Sequence, residues 1–143
     1  MAAQIIIPKG YPFAGKKLIE VISPPLLQAR INIIGKERID GYQAGLERKC
    51  KALQIEDRIN FMGWQPFHDT KQAFINNDIQ VVSSLSEGTP RVIVEGLSRG
   101  IPLVCTTVGG CPILLTNGEN AILIPHSDTD AIFSGIEKII DQN

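Results

Sequence analysis

Hydrophobic residues in this chain of 143 residues fall into short runs separated by longer amphipathic segments. The runs are rich in Ile and Val, as expected for parallel strands that are covered on both faces. The pattern predicts six strands, which are Gln4–Ile7, Arg30–Ile34, Ile59–Phe61, Ile79–Val82, Pro102–Cys105 and Ala121–Ile124.

The segments between the strands carry apolar residues at helical spacing. Leu46, Cys50 and Leu53 recur on one side of a predicted helix, and four isoleucines repeat the pattern near the C-terminus. The predicted helices are Lys16–Ile22, Tyr42–Leu53, Asp69–Asn76, Pro90–Arg99, Pro112–Thr116 and Asp128–Asp141. Alternating strands and helices without a linker indicate one α/β domain, a doubly wound parallel sheet of about six strands with helices on both faces.

Composition and charge narrow the class of protein. The chain is 43% hydrophobic and 20% charged, as in ordinary globular proteins. Its formal net charge of −1 gives no electrostatic case for a nucleic-acid partner. No apolar run approaches the roughly 20 residues that span a bilayer, and Ile5–Ile7 is too short for a signal peptide. Cys50, Cys105 and Cys111 have no metal-ligand spacing and suit a reducing compartment, so we expect a cytoplasmic protein.

Two glutamates, Glu87 and Glu95, lie around a predicted helix start. Thr89 is a good N-cap and Pro90 suits the first helical position, which predicts a helix over Pro90–Arg99. The two carboxylates would then be roughly 8–12 Å apart along the helix axis, at 1.5 Å rise per residue. Free backbone N–H groups between them favour an anion. This order suits a ligand with hydroxyl groups on both sides of a diphosphate.

Two loops of the predicted sheet carry glycines at the same edge. Glu87 belongs to the loop after the fourth strand, and Gly109 and Gly110 follow the fifth strand. Doubly wound sheets bind ligands at the carboxyl ends of their strands, and glycine lets a ligand approach the backbone closely. Taken alone, these residues leave open the alternative that both loops are only tight turns between a strand and a helix.

Glu87 and Glu95 enclose seven residues, and this stretch resembles the E-x7-E motif of retaining glycosyltransferases with the GT-B fold, particularly family GT4. Further landmarks of that family follow in order, so that the resemblance covers about residues 30–128. They are Ile31–Gly35, Arg58–Trp64, Gly100–Val104, Val108–Pro112, Asn117–Asn120, Ile122–Pro125 and Asp128. Two glutamates at this spacing are a weak signal, whereas the ordered series is specific.

The resemblance implies roles for individual residues. Glu95 would hold the ribose hydroxyls of a nucleoside-diphosphate sugar, and Glu87 would hold the donor sugar. Backbone N–H groups around Gly88–Arg91 would lie against the sugar and the diphosphate. The turn at Gly63 and Trp64 would contact the nucleobase through backbone atoms. Such contacts leave no side-chain pattern in the sequence that would distinguish UDP, GDP and ADP donors. Trp64 itself either stacks on the ligand or seals the end of a strand.

The resemblance also implies how the leaving group is stabilised. Departure of a nucleoside diphosphate develops negative charge, which this fold usually meets with basic groups rather than a metal. Family members place an arginine and a lysine after the first strand. This chain lacks the arginine, so Lys9 and Lys16 are the candidates, with Arg91 as an alternative phosphate partner. We expect no metal, no cofactor besides the donor, and no general base from this domain.

Family members have a second, N-terminal domain that binds the acceptor, and this chain has room for the donor-binding half only. We therefore expect a piece of a longer enzyme, or a subunit that needs a separate acceptor-binding partner. Either would be associated with a membrane only through the missing part and would catalyse no transfer alone. Three alternatives stay open: a sugar-nucleotide epimerase, a non-catalytic sugar-nucleotide-binding module and a flavodoxin-like regulatory domain.

Overall fold

The computed structural model describes residues 3–8, 29–37 and 39–142, and their strands form one parallel sheet. The strands are β1 (Gln4–Ile7), β2 (Arg30–Ile34), β3 (Ile59–Gly63), β4 (Ile79–Val82), β5 (Leu103–Thr106) and β6 (Ile122–Ile124). Their order is β3-β2-β1-β4-β5-β6, and every neighbouring pair is parallel. The predicted doubly wound sheet is confirmed, and its order differs from the flavodoxin-like order 2-1-3-4-5.

Five α-helices alternate with these strands in the described part of the chain. They are α1 (Tyr42–Ala52), α2 (Phe67–Ile75), α3 (Arg91–Leu97), α4 (Cys111–Leu114) and α5 (Thr129–Ile140), with a 3-10 turn at Glu56–Arg58. The predicted helix Lys16–Ile22 lies outside the described residues. The predicted core position Leu53 is wrong, because α1 ends at Ala52 and Leu53 at its C-cap is 36% exposed.

Helices pack on both faces of the sheet. In β1 the side chains of Ile5, Ile6 and Ile7 are all buried, although successive residues of a strand point to opposite faces. Ile5 and Ile7 belong to the core under α1 and α5, whereas Ile6 packs with Phe74 of α2. Burial on both sides is the reason why these strands read as continuous apolar runs.

The strand order reverses between β1 and β4, and this position decides where a ligand crevice forms. In doubly wound sheets the loops on either side of such a switch point run to opposite faces and leave a crevice at the carboxyl edge. The loop after β1 lies outside the described residues. The loop after β4, residues 83–90, is described and carries Glu87.

Candidate functional site

The helix start differs from the sequence prediction by one residue. Pro90 is the N-cap of α3, with φ −76° and ψ 95°, and no side chain caps the helix. The prediction of Thr89 as N-cap and Pro90 as first helical residue is therefore wrong. The proline ring fixes φ only, and the extended ψ of Pro90 delays the helix to Arg91. The helix also ends earlier than predicted, at Leu97.

The loop after β4 holds Glu87 in a defined position. The Ser84 hydroxyl donates a hydrogen bond of 2.6 Å to Oε1 of Glu87. The Ser84 carbonyl in turn accepts a bond of 2.7 Å from Oγ1 of Thr106, a buried residue at the end of β5. The half-buried Glu87 carboxylate is thus oriented through Ser84 by the neighbouring strand.

The glycine loop after β5 packs directly against the loop that carries Glu87. The Gly110 N–H donates to the Gly88 carbonyl at 3.0 Å. A Cβ at Gly109 would lie 1.6 Å from the Glu87 carbonyl oxygen, and one at Gly110 would lie 2.2 Å from that of Gly88. Gly109 also adopts φ +51°, which favours glycine. Both glycines are required by contact between the loops, and their predicted contact with a ligand stays a prediction.

Glu95 lies on α3, half-buried, one helical turn after the exposed Arg91. Its backbone carbonyl accepts hydrogen bonds from the Ser98 hydroxyl and the Arg99 guanidinium. Between its carboxylate and any other residue that the structure describes, no hydrogen bond or ion pair is present. The carboxylate can therefore accept bonds from a ligand without first giving up a partner in the described residues.

One residue below α3 was missed by sequence reasoning. Gln80 of β4 is fully buried, and its Nε2 donates to the Val92 carbonyl of α3 at 2.9 Å. The signal in the sequence was a single amide inside an otherwise apolar strand, together with Gly96 in the middle of a predicted helix. Gln80 and Gly96 prove to be in contact.

The turn after β3 lies at the same carboxyl edge, at the outer strand of the sheet. Gly63 has φ +66°, and its carbonyl accepts a hydrogen bond of 2.9 Å from the Gly35 N–H. Trp64 is 70% exposed, so the alternative that it seals the end of β3 is wrong. Phe67, the first residue of α2, is exposed as well.

Two buried thiols lie beneath the glycine loop. Cys105 precedes Thr106 in β5, and Cys111 begins α4. Burial, and next the adjacent Cys111 thiol, raise the pKa of Cys105 well above its ordinary value. Burial likewise raises the pKa of Cys50. These thiols pack as small apolar groups.

The remaining predicted site residues, Lys9 and Lys16, lie outside the described residues. Within the described part of the chain, no three His, Cys, Asp or Glu side chains gather in a way that suits a metal ion. None of the helices in residues 39–142 has the length and apolar character that crossing a membrane requires.

A doubly wound sheet with carboxylates in and after its switch-point loop belongs to the α/β architectures that bind ligands at the carboxyl ends of their strands. The chain matches the family model of glycosyl transferases group 1 over residues 5–142, and it belongs to this family.

Curated relatives extend well beyond the matched region. Lipopolysaccharide core biosynthesis glycosyltransferase LpsE of Rhizobium meliloti is 31% identical over 98 residues, which are 68% of this chain and 28% of that protein. D-inositol 3-phosphate glycosyltransferase of Mycobacterium marinum is 29% identical over 99 residues, 69% of this chain and 21% of that protein. The chain spans about a quarter of the length of the curated relatives it matches.

Solved structures agree with the fold. Anabaena Alr3699/HepE, in complex with UDP and glucose, superposes with a TM-score of 0.88 at 23% identity, covering 98% of this chain and 39% of that one. The C-terminal domain of the group 1 glycosyl transferase LpcC from Francisella tularensis gives 0.81 at 21% identity, covering 97% and 75%. At these identities the likeness shows the fold, and it confirms the predicted Rossmann-like half of a GT-B structure.

Proposed function

We propose that this chain is the donor-binding domain of a retaining glycosyltransferase, which transfers a sugar from a nucleoside-diphosphate sugar to an acceptor. The observation that carries this proposal is the pair Glu87 and Glu95, placed in and after the switch-point loop. Glu87 is oriented by Ser84, and the Glu95 carboxylate has no hydrogen-bond partner among the described residues.

Each carboxylate serves a different part of the donor. Glu95 accepts the ribose hydroxyls, and Glu87 accepts hydroxyls of the transferred sugar, because ionised carboxylates are strong acceptors. The N–H groups of Gly88, Thr89 and Arg91 lie between them along the chain, at and before the first turn of α3. Unpaired N–H groups in this position favour a diphosphate, and the exposed Arg91 side chain is within the same turn.

Charge on the leaving diphosphate is met by basic side chains rather than by a metal. Lys9 and Lys16 follow β1 in sequence, and β1 is one of the two strands at the switch point, which supports their assignment. Arg91 is the alternative. Leaving-group departure then needs only a positive charge near the bridging oxygen, supplied without coordination chemistry.

UDP is the first nucleotide to test, because the Anabaena structure was solved with UDP. GDP and ADP are the alternatives. The base would lie against the turn at Gly63, where backbone groups read its edge, with the exposed Trp64 beside it. A base that contacts only backbone atoms does not require particular side chains. A binding screen of the three diphosphates is therefore the experiment that identifies the preferred base.

Acceptor binding would come from a further N-terminal domain or a separate subunit, in the cytoplasm. The curated relatives are about four times longer than the matched region, which supports this division. Half of the cleft alone neither positions an acceptor nor excludes water. Residues 1–143 should therefore bind a nucleoside diphosphate weakly and transfer no sugar.

The test is calorimetric titration of Glu95→Gln and Glu87→Gln with UDP and with UDP-glucose. Glu95→Gln should weaken both ligands by about tenfold or more, because a charged acceptor is worth roughly 1.5–3 kcal/mol per hydrogen bond. Glu87→Gln should leave UDP affinity nearly unchanged and remove the affinity that the sugar adds.

Glu119→Gln is the matched control, since Glu119 is an exposed carboxylate in the turn that precedes β6, at the opposite edge of the sheet. It should bind both ligands like the wild type. Unchanged UDP affinity of a folded Glu95→Gln variant would show that Glu95 is an ordinary charge on the helix face. Donor binding without transfer by the full-length protein would instead favour the non-catalytic module.

A further inference from the structure

Gln80 is buried in an apolar environment, where an apolar side chain would avoid the free energy of removing an amide from water. All four residues of β4 are buried, and Gln80 has no exposed surface. Its Nε2 donates to the Val92 carbonyl at 2.9 Å, but its Oε1 is buried without a hydrogen-bond partner among the residues that the structure describes. Buried polar atoms are nearly always paired. An amide with an unpaired oxygen is therefore unusual at a core position.

In the helix above it, the absence of a side chain at Gly96 leaves room for this amide. A Cβ at Gly96 would lie 1.7 Å from Oε1 of Gln80 and 2.9 Å from its Cδ, so the amide occupies the space that a side chain at position 96 would need. Val92 and Gly96 are one turn apart on the same side of α3. Gln80 thus holds α3 at two successive turns, through a hydrogen bond at Val92 and close contact at Gly96.

The contact between Gln80 and α3 is important because α3 has little stability of its own. The helix has seven residues and no side-chain cap, and short helices depend on tertiary contacts for their stability. Hydrophobic packing is non-directional, whereas the hydrogen bond to Val92 prefers a narrow range of angles and distances. The amide can therefore define both the rotation of α3 and its position along the axis.

We propose that Gln80 is a positioning residue for the donor site, which sets the direction of the Glu95 carboxylate by fixing α3 on the sheet. The inference rests on the proposed ribose role of Glu95. Glu95 directly precedes Gly96 in the helix, so any rotation or shift of α3 at Gly96 carries the carboxylate with it. Glu87 is held by Ser84 and β5 instead, and it should be unaffected.

The experiment uses Gln80→Met in the full chain. Met keeps the length and volume of Gln and removes the Nε2 group that donates the hydrogen bond to the Val92 carbonyl. The readout is the ratio of affinities for UDP and 2′,3′-dideoxy-UDP, or the same pair for the base that the wild type prefers. This ratio reports the hold on the ribose hydroxyls alone. It should be about tenfold or more in the wild type and at least about threefold smaller in Gln80→Met.

Asn77→Leu is the matched control. Asn77 is also a buried amide, 7% exposed, and it donates to the Ala73 carbonyl of α2 rather than to α3. Its loss should lower the free energy of unfolding and leave the affinity ratio at the wild-type value. A loss of stability alone thus cannot imitate the expected result.

A second variant, Gln80→Ala with Gly96→Ala, fills the vacated space with the new Cβ and still lacks the hydrogen bond. It should fold and show the same reduced ratio. A wild-type ratio in either folded Gln80 variant overturns the positioning role and leaves the proposed function intact. A wild-type ratio in Glu95→Gln overturns the ribose role and this inference with it. Failure of both Gln80 variants to fold would show that Gln80 supports the whole domain rather than the direction of α3, which also overturns the inference.

Discussion

The contact between the glycine loop and the Glu87 loop can be tested by Gly109→Ala, which adds one methyl group. The new Cβ would lie 1.6 Å from the Glu87 carbonyl oxygen, and the oxygen belongs to backbone that cannot rotate aside. At φ +51° the alanine is also strained. One of the two loops must move, and the hydrogen bond between Gly110 and Gly88 is then expected to break.

Two effects determine how much Gly109→Ala lowers the free energy of unfolding. An alanine in the left-handed region costs roughly 1–2 kcal/mol, and a net hydrogen bond is worth about 0.5–1.5 kcal/mol. With the packing lost between the loops, Gly109→Ala should lower the free energy of unfolding by about 2–4 kcal/mol. For a domain of this size the midpoint of thermal unfolding should fall by roughly 6–12 °C. UDP affinity should fall as well, because the displaced loop carries the proposed diphosphate and sugar contacts.

Substitutions at two other glycines distinguish the effect of backbone strain from that of the steric clash between the loops. Gly118 has φ +82° and nothing within 4 Å of an added Cβ, so Gly118→Ala should cost only the strain. Gly110 has an ordinary φ of −78°, and its Cβ would meet the Gly88 carbonyl oxygen at 2.2 Å, so Gly110→Ala tests the collision alone. Denaturant unfolding and UDP titration measure all three variants. Equal stability and equal UDP affinity for Gly109→Ala and Gly118→Ala would refute the importance of the loop contact.

The remaining predictions concern the buried thiols and metal dependence. Because burial raises the pKa of Cys105 in the folded state, the native thiol should resist iodoacetamide at pH 8.5 and react after denaturation; rapid native alkylation would contradict this. The same shift favours the folded state at low pH, so its contribution to stability should be lost as pH rises above the ordinary thiol value of about 8.5. Nucleoside diphosphate binding should survive EDTA, and a strict requirement for magnesium or manganese would count against charge compensation by basic side chains.

The strands could be predicted closely from the sequence because burial on both faces leaves an unbroken apolar signal. β1, β2 and β4 have the bounds that their Ile- and Val-rich runs predict. At β5 the predicted run begins one residue early, since Pro102 has no N–H for the ladder. The strand order is set by pairing between distant segments, and local pattern gives only the alternation of strands and helices.

The candidate site was predicted less completely, because its geometry depends on contacts far apart in sequence. The start of α3 depends on ψ of Pro90, which the proline ring leaves open. A glycine at Gly109 indicates special backbone geometry, but not that its neighbour in space is Glu87, more than twenty residues earlier. For Gln80, the amide predicts a buried partner without saying which helix supplies it.

The two glutamates of the motif are eight positions apart in sequence, yet different parts of the sheet hold them. Glu87 is oriented through Ser84 by Thr106, which is the last residue of β5. The loop that carries Glu87 also packs against Gly109 and Gly110, which follow β5. Glu95 depends on α3, which is tied to β4 through Gln80. Supports that share no residue should act independently. A defect on the β5 side should therefore weaken the contacts with the diphosphate and the sugar and leave the affinity ratio of UDP to 2′,3′-dideoxy-UDP unchanged. A defect at Gln80 should lower that ratio and leave the affinity that the sugar adds unchanged.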